Sequence, residues 1–145
     1  KKYWKSNMIY LDANIFLAAI VNPPQDDQTK LCKKILIKVV SNELPATTSL
    51  LTWDEIVFII KKTLGKDIAS REGKKFLSFP NLTFLKVDEN VISTAQNLLS
   101  KYNVNPRDAI HAASALSYNI KEILSDDADF DKLKEIKRIK PETFK

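Results

Sequence analysis

The sequence predicts an α/β domain, a three-layer α/β/α sandwich around a mainly parallel central sheet. Short apolar runs alternate with stretches of helical periodicity along the whole chain. Turn signals, among them Asn22-Pro23-Pro24, Gly65, Pro80 and Pro141, separate those segments. A length of 145 residues with 44% hydrophobic content suits one packed core. The domain is expected over residues 8–141, with residues 1–7 a leader or expression remnant ahead of Met8.

The elements run in order along the chain. Met8-Ile9-Tyr10-Leu11 reads as a buried strand, Asp12 and Asn14 as a turn, and the apolar stretch to Val21 as a helix or helical turn. Asp26 or Asp27 caps a helix to about Ser41, with Leu31, Ile35, Leu36 and Val39 inside and Lys30, Lys33, Lys34 and Lys38 largely outside. Residues 45–49 form a connection or short strand. A helix over Leu50 to Leu64 carries Ile56, Ile59, Ile60 and Leu64 at helical spacing and stops at Gly65. Lys66 to Leu77 is a further helix, and Leu82 to Val87 alternates like a strand. Asp88 caps a helix carrying Val91, Ala95, Leu98 and Leu99. Asn105 caps another that has Pro106 in its first turn and runs to about Tyr118. Glu122 to Ser125 is a short strand, and Lys137 to Lys140 an edge strand closed by Pro141.

Composition narrows the function. Lys and Arg number 23 against 18 Asp and Glu, a net charge of +5, which suits a polyanionic partner without proving one. The single cysteine, Cys32, allows no internal disulfide and points to a reducing, cytoplasmic setting. One cysteine and one histidine, His111, cannot build a Cys/His zinc site. No apolar run approaches the ~20 residues that span a bilayer, so no membrane role is expected. Two glycines, Gly65 and Gly73, lie in no phosphate-cradling loop.

Acidic residues recur where apolar runs give way to turns or helix starts: Asp12, Glu55, Asp108 and the cluster Ser125-Asp126-Asp127-Ala128-Asp129. Each has an ordinary explanation. Asp12 and Asn14 could make an Asx turn and cap a helix. Thr52-Trp53-Asp54-Glu55 is a capping-box pattern, and Asp108 suits the positive end of its own helix. Asp126, Asp127, Asp129 and Asp131 could form a solvated turn. Independent capping rarely puts an acid at every strand-to-helix junction on one rim, where parallel sheets bind ligands. Carboxylates brought together repel unless a cation lies among them. A divalent-metal site in a basic chain points to a nucleic-acid-cutting enzyme. Arg107 adjoins one of the acids and could reach a phosphate. His111, three residues after Asp108 on the same helical face, could touch the site as a supporting group, but a hydrogen-bonded histidine at the helix surface is the favoured expectation. Trp4 and Trp53 are expected in packing, and the other lysine runs as solvated faces.

Taken together, Ile9-Tyr10-Leu11-Asp12-Ala13-Asn14-Ile15-Phe16, Leu51-Thr52-Trp53-Asp54-Glu55-Ile56, Arg107-Asp108-Ala109-Ile110-His111-Ala112-Ala113 and Ile123-Leu124-Ser125-Asp126-Asp127-Ala128-Asp129-Phe130 resemble, in order and spacing, the four motifs of PIN-domain ribonucleases. The resemblance is strongest to the compact VapC-type toxins of toxin–antitoxin pairs. It implies a PIN-like fold, catalytic metal ligands at Asp12, Glu55, Asp108 and Asp127, Asp129 as an additional ligand, and support from Asn14 and Ser125. It also implies an RNA substrate, a cognate antitoxin and a homodimer.

Four carboxylates match one or two Mg²⁺ or Mn²⁺ ions. The expected reaction is in-line hydrolysis of a phosphodiester bond, leaving 5′-phosphate and 3′-hydroxyl ends. A two-histidine, metal-free ribonuclease is excluded by the single histidine. Two other readings keep the fold: a housekeeping PIN nuclease in RNA processing, and a non-cleaving RNA-binding or assembly module. Retention of all four acids argues against the second.

Overall fold

Strands of a parallel sheet are covered on both faces, so they read as continuous buried runs. The computed structural model, which describes residues 8–145, has five such strands. They are β1 (Ile9–Leu11), β2 (Ala46–Ser49), β3 (Leu82–Leu85), β4 (Glu122–Leu124) and β5 (Lys137–Ile139). The sheet order is β3-β2-β1-β4-β5, and every neighbouring pair is parallel. β1 and β2 are buried throughout, whereas the edge strands β3 and β5 are partly exposed. The predicted strand from Leu82 ends at Leu85 rather than Val87, because the next residues carry the chain to the Asp88 cap. The expected leader and Trp4 lie outside the described residues.

Six helices cover the sheet: α1 (Ala13–Val21), α2 (Asp27–Val40), α3 (Leu51–Leu64), α4 (Lys66–Leu77), α5 (Glu89–Lys101) and α6 (Pro106–Ser117). Side chains of β1 alternate between two cores, as the two-residue period of a strand requires. Ile9 and Leu11 join Ile15, Phe16, Ile35, Ile56, Ile60 and Phe76 from α1 to α4. Met8 and Tyr10 face Val91, Ala95, Leu98, Ala112 and Phe130 on the side of α5 and α6. That is the three-layer sandwich.

Local chemistry explains most boundaries. Asp26 Oδ2 accepts the Thr29 amide at 3.0 Å to start α2, and Asp88 Oδ1 accepts the Val91 amide at 3.0 Å to start α5. Gly65, at φ 94°, ends α3 and begins α4 in a conformation that strains any residue with a β-carbon. Two sequence expectations are corrected. Asn105 occupies the cap position of α6 but makes no side-chain cap bond. The capping box at Thr52 and Glu55 does not form, since Leu50 is the cap and Thr52 Oγ1 lies 2.7 Å from Thr48 Oγ1. Glu55 turns towards His111 instead.

Sheet order decides where the acidic motifs meet. The chain builds β1, β2 and β3 outwards in one direction, then crosses to lay β4 and β5 on the other side of β1. The crevice at the carboxyl ends of β1 and β4 is therefore the topological switch point, where open α/β sheets bind ligands. The Asp12 amide donates to Leu124 O at 3.1 Å, holding the two ends side by side.

Phe16 anchors the larger core edge-on to Phe76 and Phe79, with ring centroids 5.0 and 5.8 Å away. Phe16→Ala should cost about 3–5 kcal/mol of unfolding free energy in a denaturant titration. Ile37→Ala, at a position 67% exposed, should stay within about 0.5 kcal/mol of the parent.

Candidate metal centre at the switch point

Asp12 leaves the end of β1 and serves as the cap of α1, its Oδ1 accepting the Ala13 amide at 2.7 Å. The ordinary explanation of this residue is thus realised, yet it does not exhaust it. Asp12 Oδ2 accepts from Ser125 Oγ at 2.7 Å. Ser125 lies just beyond β4 and is fully buried. Its oxygen also accepts Asn14 Nδ2 at 3.2 Å and the Asp127 amide at 3.0 Å. One donor and two acceptor directions exhaust a hydroxyl. Ser125 therefore ties Asp12, Asn14 and the fourth acidic motif together.

The aspartate cluster divides by direction. Asp127 caps a short 3₁₀ helix (Ala128–Lys132), accepting the Asp129 amide at 2.9 Å. Together with Asp108 from the first turn of α6, Asp127 and Asp129 place carboxylate oxygens within 4.8 Å of one another. Asp126 points elsewhere and lines a cavity of about 190 Å³ with Asn14, Asn22, Gln28 and Cys32. Asp131 forms a two-pronged pair with Arg138 at 3.0 and 2.9 Å, and Arg138 Nη1 also donates to Ser125 O at 3.3 Å. Arg138 was not singled out from sequence; one basic residue inside the run from Lys132 to Lys140 carries no signal of what it will meet.

Glu55 reaches the same end of the sheet from α3. It does not join the three converging acids but pairs with His111 Nε2, which stands 3.7 Å from Asp12 Oδ1. The expectation of a surface histidine is overturned: His111 is fully buried among the small side chains of α6. The signal was in its neighbours. Ala109, Ala112 and Ala113 mark the buried face of the helix and leave room there for one larger residue. Arg107 lies on the rim, exposed, 3.7 Å from the equally exposed Asp54. Trp53 is partly exposed and packs beside Gly73 of α4.

Proton affinities report the crowding of charge. Burial, with help from the Glu55 charge, pushes the Asp12 carboxyl up against the pull of His111 and Ser125. Asp108 is pushed up to about 6, first by burial and then by the charges of Asp127 and Asp12. Burial alone would push the His111 imidazole down; Tyr10, Glu55 and Asp12 outweigh it and lift it well above the usual value. Among the described residues, Asp108 Oδ2 and Asn14 Oδ1 are buried with no hydrogen-bond partner. An orphaned carboxylate oxygen beside two further carboxylates fits a hard divalent cation, which takes oxygen ligands. The donor set is all oxygen, the set that suits Mg²⁺ or Mn²⁺.

A sign follows for stability. Asp108 titrates near 6 when folded and near 3.8 otherwise, so the metal-free fold binds more protons than the unfolded chain across that window. Stability falls as pH rises through it. Asp108→Asn should raise the melting temperature of the metal-free protein at pH 7 by roughly 2–4 °C, the response of a domain this size to about 1 kcal/mol. The gain should vanish as the pH approaches 3.8, read by calorimetry in chelator.

Comparison with known proteins places this arrangement. Curated protein sequences yield no match. Among solved structures, the DNA-bound VapBC of Salmonella typhimurium superposes with a TM-score of 0.72 at 18% identity, over 94% of this chain and 98% of that one. VapBC2 of Rickettsia felis, bound to a promoter fragment, gives 0.71 at 16% identity over 92% and 98%. VapC20 of Mycobacterium tuberculosis, a toxin that cleaves the sarcin–ricin loop, gives 0.69 at 16% identity over 85% and 92%. At these identities the likeness is one of fold. The PIN domain family model matches residues 9–136, nearly the whole chain and all four acidic motifs. This chain therefore belongs to the PIN-domain family.

Proposed function

We propose that the protein is a metal-dependent endoribonuclease, the toxin of a VapBC-type toxin–antitoxin pair, with RNA as substrate. The observation that carries this is the convergence of Asp108, Asp127 and Asp129 at the switch point, with one oxygen of Asp108 buried and unpaired. Those three would hold Mg²⁺ or Mn²⁺, with Asp12 and Glu55 completing the acidic wall. A divalent ion bound there supplies Lewis acidity towards a phosphoryl oxygen and acidifies water for attack on phosphorus. The chain's own residues set the geometry. Ser125 fixes Asp12 and the Asp127 loop to one hydroxyl, and Arg138 pins the same loop through the Ser125 carbonyl. Arg107, on the rim, is free to exchange Asp54 for a phosphate, since an exposed pair of this kind is worth little.

The partners come from the same reading: a cognate antitoxin and a second copy of the chain. The fold neighbours include complexes named as VapBC pairs, which supports the antitoxin. Among the described residues no helix is long and apolar enough to cross a membrane. The basic balance suits RNA, with 23 Lys and Arg against 18 acids.

Incubation of total RNA with the protein in Mg²⁺, Mn²⁺ or EDTA should give cleavage only with metal, and 5′-phosphate and 3′-hydroxyl ends. Cyclic phosphate ends would sink the reading. Asp108→Asn and Asp127→Asn should each lower the cleavage rate by more than about a hundredfold, beyond the 10–100-fold typical of groups one step removed from a metal.

A further inference from the structure

A second polar structure lies behind the acids and is no part of their cluster. Tyr10 of β1, Ser49 of β2 and His111 of α6 are each fully buried, and polar groups persist at that depth only when bonded. Tyr10 Oη donates to Ser49 Oγ at 2.9 Å, accepts the Ser49 amide at 3.2 Å and lies 2.6 Å from His111 Nδ1. The other ring nitrogen, Nε2, meets Glu55 and faces Asp12. Both edges of the imidazole are held, so the ring cannot turn without breaking one of them. Among the described residues, the Glu55 carboxylate has no other hydrogen-bond or ion-pair partner. A long side chain on a helix face is mobile unless something orients it.

We propose that His111 is a positioning residue for the metal centre. Anchored by Tyr10 and Ser49, it sets the direction from which Glu55 faces the divalent ion, beside an Asp12 held by Ser125 and the Ala13 amide. This inference rests on the reading of the crevice as a metal site. It joins β1, β2, α3 and α6 through one line of hydrogen bonds. A histidine that only filled space would leave the surviving folded protein with normal metal affinity.

The test measures Mn²⁺ affinity of the metal-free full chain by paramagnetic resonance, beside kcat and KM on an RNA it cleaves. His111→Ala should weaken Mn²⁺ binding by about 10–100-fold, the range for groups that orient metal ligands, and lower kcat with KM little changed. His111→Gln, whose amide can still donate to Glu55, should recover much of both. Tyr10→Phe should act in the same direction, and its effect should largely disappear in the His111→Ala background. Wild-type Mn²⁺ affinity and kcat in folded His111→Ala, or strict additivity with Tyr10→Phe, would overturn the proposal. Should His111→Ala fail to fold, His111→Gln and Tyr10→Phe carry the test through the same two readouts. Mn²⁺ affinity that follows His111 in a protein that cuts no RNA upholds this inference and defeats the nuclease reading. Metal-dependent cleavage with Mn²⁺ affinity indifferent to all three variants does the reverse.

Discussion

The structure depends on keeping several carboxylates together at the end of a buried sheet. Like charges at this spacing, partly out of water, raise one another's proton affinity and oppose folding. Asp108, pushed up to about 6, is where the opposition is most visible. The parallel sheet is what makes the arrangement tolerable. β1 and β4 end side by side, and their ends supply amides, a serine hydroxyl and helix starts to receive negative charge. Asp12 and Asp127 are thus partly neutralised by the backbone amides they accept, while Asp108 Oδ2 is left open to a cation.

Much of this was legible in the sequence because the signals are local. A strand ending in Asp12, a Pro106 helix start followed by Asp108, and a serine–aspartate cluster after an apolar run all declare themselves within a few residues. Strand placement came from the same logic, and the sheet order then brought the motifs to one rim. The split among the four clustered aspartates was not legible. Asp127 and Asp129 face Asp108, while Asp126 lines a cavity and Asp131 is taken by Arg138. Neighbours in a turn point in different directions according to backbone torsions that charge counting does not see.

The features hidden from the sequence are long-range. Tyr10 counts as one more apolar residue in a strand until its hydroxyl meets Ser49 and His111, 39 and 101 positions away. His111 looks like a surface histidine until α6 is packed with its alanine face inward. Glu55 satisfies the pattern of a capping box, and the pattern misleads because a buried imidazole outcompetes the helix terminus for its carboxylate. Local rules lose where a nonlocal polar partner offers a drier, better-defined bond.

The bonding of individual oxygens also separates the roles of the acids. Asp12 is committed on both sides, Oδ1 to the Ala13 amide and Oδ2 to Ser125. Its orientation is set before any ligand arrives. Asp108 Oδ2, buried with no partner, is the opposite case, a lone pair held out of water at a standing cost. A cation recovers most from the oxygen that has least, so on the proposed reading the Asp108, Asp127 and Asp129 side of the crevice is where a divalent ion would bind first. Asp12 and Glu55 then act as a pre-aimed wall whose direction is decided by Ser125 and His111. Charge elsewhere works to the same end. With five of the 18 acids gathered here, 23 Lys and Arg face 13 acids over the rest of the chain. On the proposed reading, that basic balance would favour a polyanion, and the negative charge gathered at the crevice would be reversed by a bound cation.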